Sequence, residues 1–462
     1  MFESSVYCQR RAHLVESLGS GVVLLPGHSE SPMNYAENTY PFRQDSTFLY
    51  YAGIDQPGLF LLLDVDQNRT TLFGHQPTMN DIIWTGSQPD LVELGTRIGA
   101  DQVMEMTQLS SVIDQLRVQN RPLYYLPPYR SEIQVYLEEL LHLERGQIHT
   151  GHSRKLATAV IAQRSVKEPR EIVEIEKALS ITQKMHRTAM KMATSGMYER
   201  DIAGVVEGVA ISSGGRLAYP CILTREGQVL HNHHYHRQLK SGDLIVLDSG
   251  ASSPLGYASD ITRTYPVDEK FSTHQAEIYQ AVLDSLVGAL SEIRPDCRFI
   301  DCHLTAARIL TDRLQQMGLM KGNLDDSVAA GAHALFFPHG LGHMMGLDVH
   351  DMENLGEDLV GYDDQLQRSS QFGLKSLRFG RALLEGFVLT VEPGCYFIEP
   401  LMEQWSQQNR HSEYINYDQF YSWKNFGGIR IEENIVVTSA RCRILGPSIP
   451  KTIQEVEAAC GV

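Results

Sequence analysis

Any fold this chain adopts has to answer for five side chains able to bind a cation: Asp248, Asp260, His343, Glu392 and Glu432. They are spread across the second half of the sequence, and each closes or opens a short apolar run. Four carboxylates and one imidazole make a hard, mostly oxygen ligand set. Such a set suits two divalent ions of the manganese, iron or zinc type better than one closed structural zinc, which prefers Cys and His. If the five converge, the chain is a two-metal hydrolase.

At 462 residues the chain exceeds the size at which one core stops growing, so two domains are expected, 1–165 and 166–462. Apolar content of 42% is that of an ordinary globular protein. The net charge of −16 argues against a nucleic-acid partner, since phosphate neutralisation needs a basic face. The longest apolar run, Gly58 to Val65, is interrupted by Asp64 and falls well short of the roughly 20 residues of a membrane helix. No basic stretch followed by an apolar one opens the sequence, so no signal peptide is expected. Seven dispersed cysteines without a CxxC pair suit a reducing cytoplasm.

Residues 1 to about 160 alternate short apolar strands with helical stretches, an α/β pattern. Val22–Leu25, Thr47–Tyr51, Leu59–Leu63 and Thr70–Phe73 read as strands, separated by turn signals such as Pro26-Gly27. Pro169 is placed to start a helix whose apolar positions Ile172, Ile175, Leu179 and Met185 follow helical spacing. A Ser272/Gln275 capping box predicts a second helix toward Ile293, and a third spans roughly Cys302 to Met317 before Gly318. Strands are expected at Leu244–Leu247, Ile261–Val267, Phe387–Val391 and Ile429–Val437. Helices and strands therefore mix in the second half too, giving an α+β catalytic domain.

Leu244–Asp248 is an apolar strand ending in an acid, followed by a Gly/Ser/Pro turn and a new strand with Asp260 at its start. Such a hairpin sets two carboxylates side by side, tolerable when cations lie between them. Either Asp alone reads as a turn residue. His339, His343 and His350 stand close together among glycines, which implies close backbone approach to a ligand or ion. Leu389–Glu392 is a buried strand ending in an acid against Pro393-Gly394. In Gly428–Val437, period two puts Arg430 and Glu432 on one face and points Glu433 away. Taken alone, that Arg–Glu couple reads as a weak surface pair. In the histidine-rich stretch His231–His236, one histidine is expected to face a cleft and the rest to be solvated.

The motifs LIVLDSG, SDITRTYPV, HGLGHMMGLDVHD, VLTVEPGCYF and GGIRIEENIVVT resemble, in order and spacing, the metallopeptidase family of aminopeptidase P, prolidase and methionine aminopeptidase. That resemblance implies a "pita-bread" catalytic domain in which Asp248 binds one ion, Asp260 and Glu432 bridge both, and His343 with Glu392 complete the other. YPFRQDSTFLYY and IIWTG are similar to the N-terminal domain of aminopeptidase P and prolidase, which methionine aminopeptidases lack. Substrates with proline in second position follow. The resemblance further implies that His231, His339 and His350 contact substrate or stabilise charge. It makes Arg378 or Arg381 the partner of the substrate carboxyl end. The longer stretches 354–375 and 398–425, with GLKSLRFGR and FGGIRIEE, look more like eukaryotic prolidase.

The expected activity is that of an Xaa-Pro aminopeptidase, with an Xaa-Pro dipeptidase as the alternative and a non-catalytic peptide-binding module as a distant one. The ions, most suitably Mn2+ but also Zn2+, Co2+ or Fe2+, would activate water and polarise the scissile carbonyl. Glu392 would take the proton and pass it to the proline nitrogen. The family's oligomers imply a homodimer or homotetramer. Trp84 is a candidate to reach a neighbour's site, or else a buried anchor of its own domain.

Overall fold

The computed structural model describes residues 1–268 and 270–461. The chain divides into two compact units: Met1–Arg164 with Asn354–Gly356, and Ser165–Glu353 with Glu357–Val462. Both are mixed α/β, the class expected from the sequence.

The first unit is built on a five-stranded sheet. Val22–Pro26 runs antiparallel to Phe60–Asp64, which runs antiparallel to Arg69–Gly74. Gln102–Glu105 and Leu123–Tyr124 add parallel strands at the two edges. The central strands are buried along nearly their whole length rather than alternately, because side chains on both sheet faces are covered. Val22, Leu24, Phe60, Leu62 and Phe73 pack one core with Leu109, Ile113, Leu137 and Ile148. The expected strand at Thr47–Tyr51 is instead part of a helix, Ser46–Ala52. Asp45 caps it by accepting from the Phe48 amide at 2.9 Å, and Gly53 in the left-handed conformation ends it. All seven of its residues are buried, so no periodicity could separate helix from strand. Arg10 and Arg11 donate to the carbonyls of Tyr50 and Tyr51, satisfying groups the last helical turn leaves open.

The second unit repeats one construction. The helix Pro169–Met192, with Pro169 at its first position, packs on Glu199–Ser212. A hairpin follows: Leu244–Asp248 pairs antiparallel with Thr262–Pro266, Asp248 facing Thr262. Then Thr273–Glu292, opened by the Ser272/Gln275 capping box, packs on Phe299–Gln316. A second hairpin pairs Val388–Val391 with Glu433–Val437, Val391 facing Glu433. In both hairpins the acids stand at the loop-proximal end: Asp248 and Asp260 in the first, Glu392 and Glu432 in the second.

The strand expected at Ile429–Val437 is broken in two. Gly428–Arg430 pairs with Gly394–Tyr396, whereas Glu433–Val437 pairs with Val388–Val391. Between them the Glu432 amide crosses to the Thr262 carbonyl at 3.1 Å, stitching the second hairpin to the first. Polar side chains complete that seam. The Asn434 amide group exchanges hydrogen bonds with the Asp260 backbone (3.0 and 2.5 Å), and the Thr264 hydroxyl does the same for Arg430 (2.9 and 3.1 Å). Fully buried Arg263 donates to the carbonyls of Glu432 and Pro450 and pairs with Glu433 at 2.7 Å. Glu433 thus faces away from the acids, in a charge pair of its own.

Candidate metal centre and substrate cleft

The stitched ends of the two hairpins form one wall of a cavity of about 380 Å³. Asp248, Asp260, His343, Glu392 and Glu432 all line it, as do His231, His339, His350 and Arg378. Ligand atoms of Asp260, His343 and Glu432 lie within 4.8 Å of one another. His343 Nε2 stands 3.4 Å from Asp260 Oδ2 and 3.6 Å from Glu392 Oε1.

His343 is fixed by the backbone around it. Its Nδ1–H donates to the Met344 carbonyl at 3.0 Å, which leaves Nε2 for the carboxylates. Its amide donates to Thr390 Oγ1 at 3.1 Å, and its carbonyl accepts from the Thr390 amide at 3.0 Å. The glycines beside it are required by this packing, and both also line the cavity: a Cβ on Gly342 would sit 2.1 Å from the Thr390 carbonyl oxygen, and one on Gly340 2.7 Å from Leu377 Cα.

Two residues the sequence reading passed over or misplaced complete the wall. Tyr219 directs its hydroxyl to Asp248 Oδ1 at 2.5 Å and also to Asp260 Oδ1. Arg430, read as half of a surface pair with Glu432, is buried and pairs with Asp248, Nη2 to Oδ2 at 2.7 Å. Its Nη1 donates to the Tyr396 hydroxyl and its Nε to Thr262 Oγ1, which in turn donates to Glu432 Oε2 at 2.9 Å. Tyr219 sits in an irregular stretch before Ile222–Thr224, where no pattern marks it.

Electrostatics test whether the cluster fits cations. Burial, and then the nearby carboxylates, hold Glu432 well above the ordinary range, and burial lifts Glu392 to about 7. Burial also raises Asp248 despite Arg430. Burial would raise Asp260 as well, but the hydrogen bond and charge of His343 hold it low. Burial depresses His343 less than Asp260 and Glu392 raise it, leaving it at about 9. Glu432 Oε1 is buried without a hydrogen-bond partner, and one Tyr219 proton cannot serve two carboxylates at once. A site with surplus buried acceptors and too few donors fits divalent cations bound by oxygen and one imidazole.

The remaining candidates separate. His339 Nδ1 donates to the Gly340 carbonyl at 2.8 Å, so its Nε2 accepts from the Tyr396 hydroxyl, also at 2.8 Å. Both nitrogens are engaged, which makes it a support for Tyr396. His350 binds Glu353 Oε2 through Nδ1 at 3.1 Å. His233 lines the cavity together with His231, so two histidines of that stretch face it, not one. Arg381 does not line it: its Nε donates to the Val360 carbonyl and its guanidinium lies over Phe379 and Phe387. Trp84 belongs to the first unit and is 79% exposed on the short helix Met79–Thr85, which excludes a buried anchor.

With the geometry in hand, the comparison that decides kinship is a match to the model of metallopeptidase family M24 over residues 173–439, more than half of the chain. The chain belongs to metallopeptidase family M24. Residues 7–124 of this M24 chain match the aminopeptidase P N-terminal domain. It is 30% identical to the Xaa-Pro dipeptidase of Homo sapiens, over 98% of its own length and 91% of the relative's. It is 31% identical to the Xaa-Pro aminopeptidase of Escherichia coli (strain K12), over 97% and 96%. The structure of E. coli aminopeptidase P with the inhibitor Pro-Leu superposes with a TM-score of 0.81 at 29% identity, covering 100% of this chain and 98% of that one. Aminopeptidase PepP of Pseudomonas aeruginosa gives 0.82 at 26% identity, with the same coverage. The family expected from the five motifs is the family found. Among the described residues, no helix is long and apolar enough to cross a membrane.

Proposed function

We propose that the chain is a dinuclear-metal exopeptidase that hydrolyses the bond between an N-terminal residue and a following proline, acting as an Xaa-Pro aminopeptidase. The observation that carries this reading is the convergence of Asp248, Asp260, His343, Glu392 and Glu432 on one cavity, with an unpartnered buried oxygen on Glu432. Relatives spanning nearly the whole chain carry Xaa-Pro names, which supports the substrate class.

Two divalent ions held by these five residues, Mn2+ being the best-suited choice, would supply Lewis acidity and an activated water. Glu392 takes up a proton at its carboxylate and returns it to the proline nitrogen, which as a tertiary amide nitrogen carries none of its own. Asp248 receives the free α-amine of the substrate, giving exopeptidase selectivity. Arg430 and Tyr219 hold Asp248 in place for that role. His231 and His350 line the cavity, and in this reading they stabilise the charge that develops on the carbonyl oxygen. His339 acts at one remove, through the Tyr396 hydroxyl that Arg430 also holds.

An Xaa-Pro dipeptidase is the second reading, favoured by Arg378, a partly exposed cation in the cavity wall suited to a proline carboxylate. Retention of all five ligand candidates argues against a non-catalytic binding module. Seven free, dispersed thiols support a cytoplasmic compartment, and the exposed apolar helix carrying Trp84 supports a homodimer or homotetramer.

The test is hydrolysis of Ala-Pro and Arg-Pro-Pro by purified protein with added Mn2+, alongside Glu392→Gln and Asp260→Asn. Both variants should lose activity by at least about a hundredfold. An aminopeptidase cleaves both peptides and a dipeptidase only Ala-Pro; retained activity in either variant overturns the assignment.

A further inference from the structure

Glu353 lies three residues after His350, outside every motif read from the sequence, yet it joins two of the cleft residues. Its Oε2 accepts from His350 Nδ1 at 3.1 Å and from Arg378 Nη1 at 2.7 Å. Its side chain is largely buried, at 18% exposure. Burial opposes its ionisation, but the bond from His350 and the charge of Arg378 hold it below the usual carboxylate range. Its second oxygen, Oε1, is buried without a partner. A buried carboxylate that forgoes half of its hydrogen-bonding capacity costs stability, so a role beyond packing is the economical explanation.

The consequence for its partners is geometric. With Nδ1 committed to Glu353, His350 keeps Nε2 without a partner among the described residues. Among the described residues, Arg378 is engaged only through Nη1, by Glu353 and, at 2.9 Å, by Glu357. Its Nε/Nη2 edge has no partner among the described residues, and that edge has the fork geometry that receives a carboxylate in two parallel bonds. Glu357 touches Arg378 but makes no bond to His350.

We propose that Glu353 is a positioning residue that locks His350 and Arg378 into one unit, holding the ring nitrogen toward the scissile carbonyl and the guanidinium edge toward the carboxyl end of a short substrate. The proposal rests on the peptidase reading for its substrate, but its geometry can be tested without turnover.

The experiment compares wild type, Glu353→Ala, Glu353→Gln and Glu357→Ala. Binding of proline and prolinamide to the Mn2+-loaded protein is measured by calorimetry, and kcat and KM by hydrolysis of Ala-Pro and Ala-Pro amide. Wild type should bind proline more tightly than prolinamide. Glu353→Ala should weaken proline about tenfold, leave prolinamide within about twofold, and lower kcat about tenfold on both peptides. Glu353→Gln, which keeps an acceptor oxygen, should recover most of both effects. Glu357→Ala should raise KM for Ala-Pro while leaving kcat within about twofold, since it reaches only one member of the unit. If Glu353→Ala does not fold, Glu353→Asp, which withdraws the carboxylate by one methylene, should move the same quantities in the same direction. Equal binding of proline and prolinamide by wild type overturns the proposal, as does a Glu353 variant indistinguishable from Glu357→Ala. Wild type that cleaves no Xaa-Pro peptide overturns the peptidase reading instead, and the binding comparison still decides the role of Glu353.

Discussion

Arg430 and Asp248 meet at 2.7 Å inside the second unit, the guanidinium and carboxylate both buried where the two hairpins join. The same guanidinium also holds Tyr396 and Thr262, so one cation organises three neighbours of the acid cluster.

Removing that cation leaves a buried carboxylate beside other acids. Arg430→Met should destabilise the metal-free protein by about 3–5 kcal/mol in chemical denaturation. Arg430→Lys should recover little, because a compact ammonium cannot replace a fork that reaches three partners. A loss under about 1 kcal/mol would mean that Asp248 is compensated some other way.

The acids themselves oppose folding when no cation is bound. Glu432→Gln replaces a carboxyl that burial and its neighbours make costly to ionise with a neutral amide, so the metal-free variant should be more stable than metal-free wild type, by an amount on the order of 1 kcal/mol. Added Mn2+ should raise the melting temperature of wild type and do far less for the variant. A variant that matches wild type both with and without Mn2+ would remove Glu432 from the ligand set.

Acid sensitivity should come partly from two histidines away from the acids. His303 and His333 are buried, and burial lowers His333 to about 4 and His303 well below its ordinary value. The unfolded chain takes up these protons near pH 6.5 and the folded one does not. Stability is therefore complete above about pH 6.5 and falls as pH drops toward about 4, by up to about 1.4 kcal/mol per pH unit for each histidine. His333→Leu should flatten the decline in urea midpoint across that window. An unchanged slope would show that His333 is not what titrates.

The helix Met79–Thr85 exposes Met79, Ile83 and Trp84 at 70%, 70% and 79%. Trp84→Ala should leave unfolding of the isolated protomer within about 0.5 kcal/mol of wild type. It should shift sedimentation toward smaller species if this face joins protomers. Unaltered sedimentation would clear Trp84 of that role.

The acids were legible because each closes or opens a short apolar run, a recurrence that no single turn residue explains. Glu432 and Glu433 were separated by the two-residue strand period, although the strand breaks between Arg430 and Glu433. Arg430's true partner was hidden, because Asp248 lies far away in sequence and the pairing exists only once the hairpins are stitched. Tyr219 lies in irregular backbone and Glu353 opens the single-turn 3-10 helix Glu353–Leu355, both too short of regular structure for any periodicity to mark a side chain's direction. Ser46–Ala52 was missed for the opposite reason: complete burial erases the alternation that separates helix from strand.

Glu392 and Glu432 flank a long excursion, yet the ladder that holds them closes at Val391 opposite Glu433 and again at Gly394 opposite Arg430. Once those rungs are set, lengthening 398–425 adds little closure entropy, since each doubling of a flexible loop costs only about 0.6 kcal/mol. The chain can therefore gain or shed residues there without displacing either acid. Diversification of what enters the cleft and preservation of the chemistry inside it are, in this topology, separable evolutionary problems.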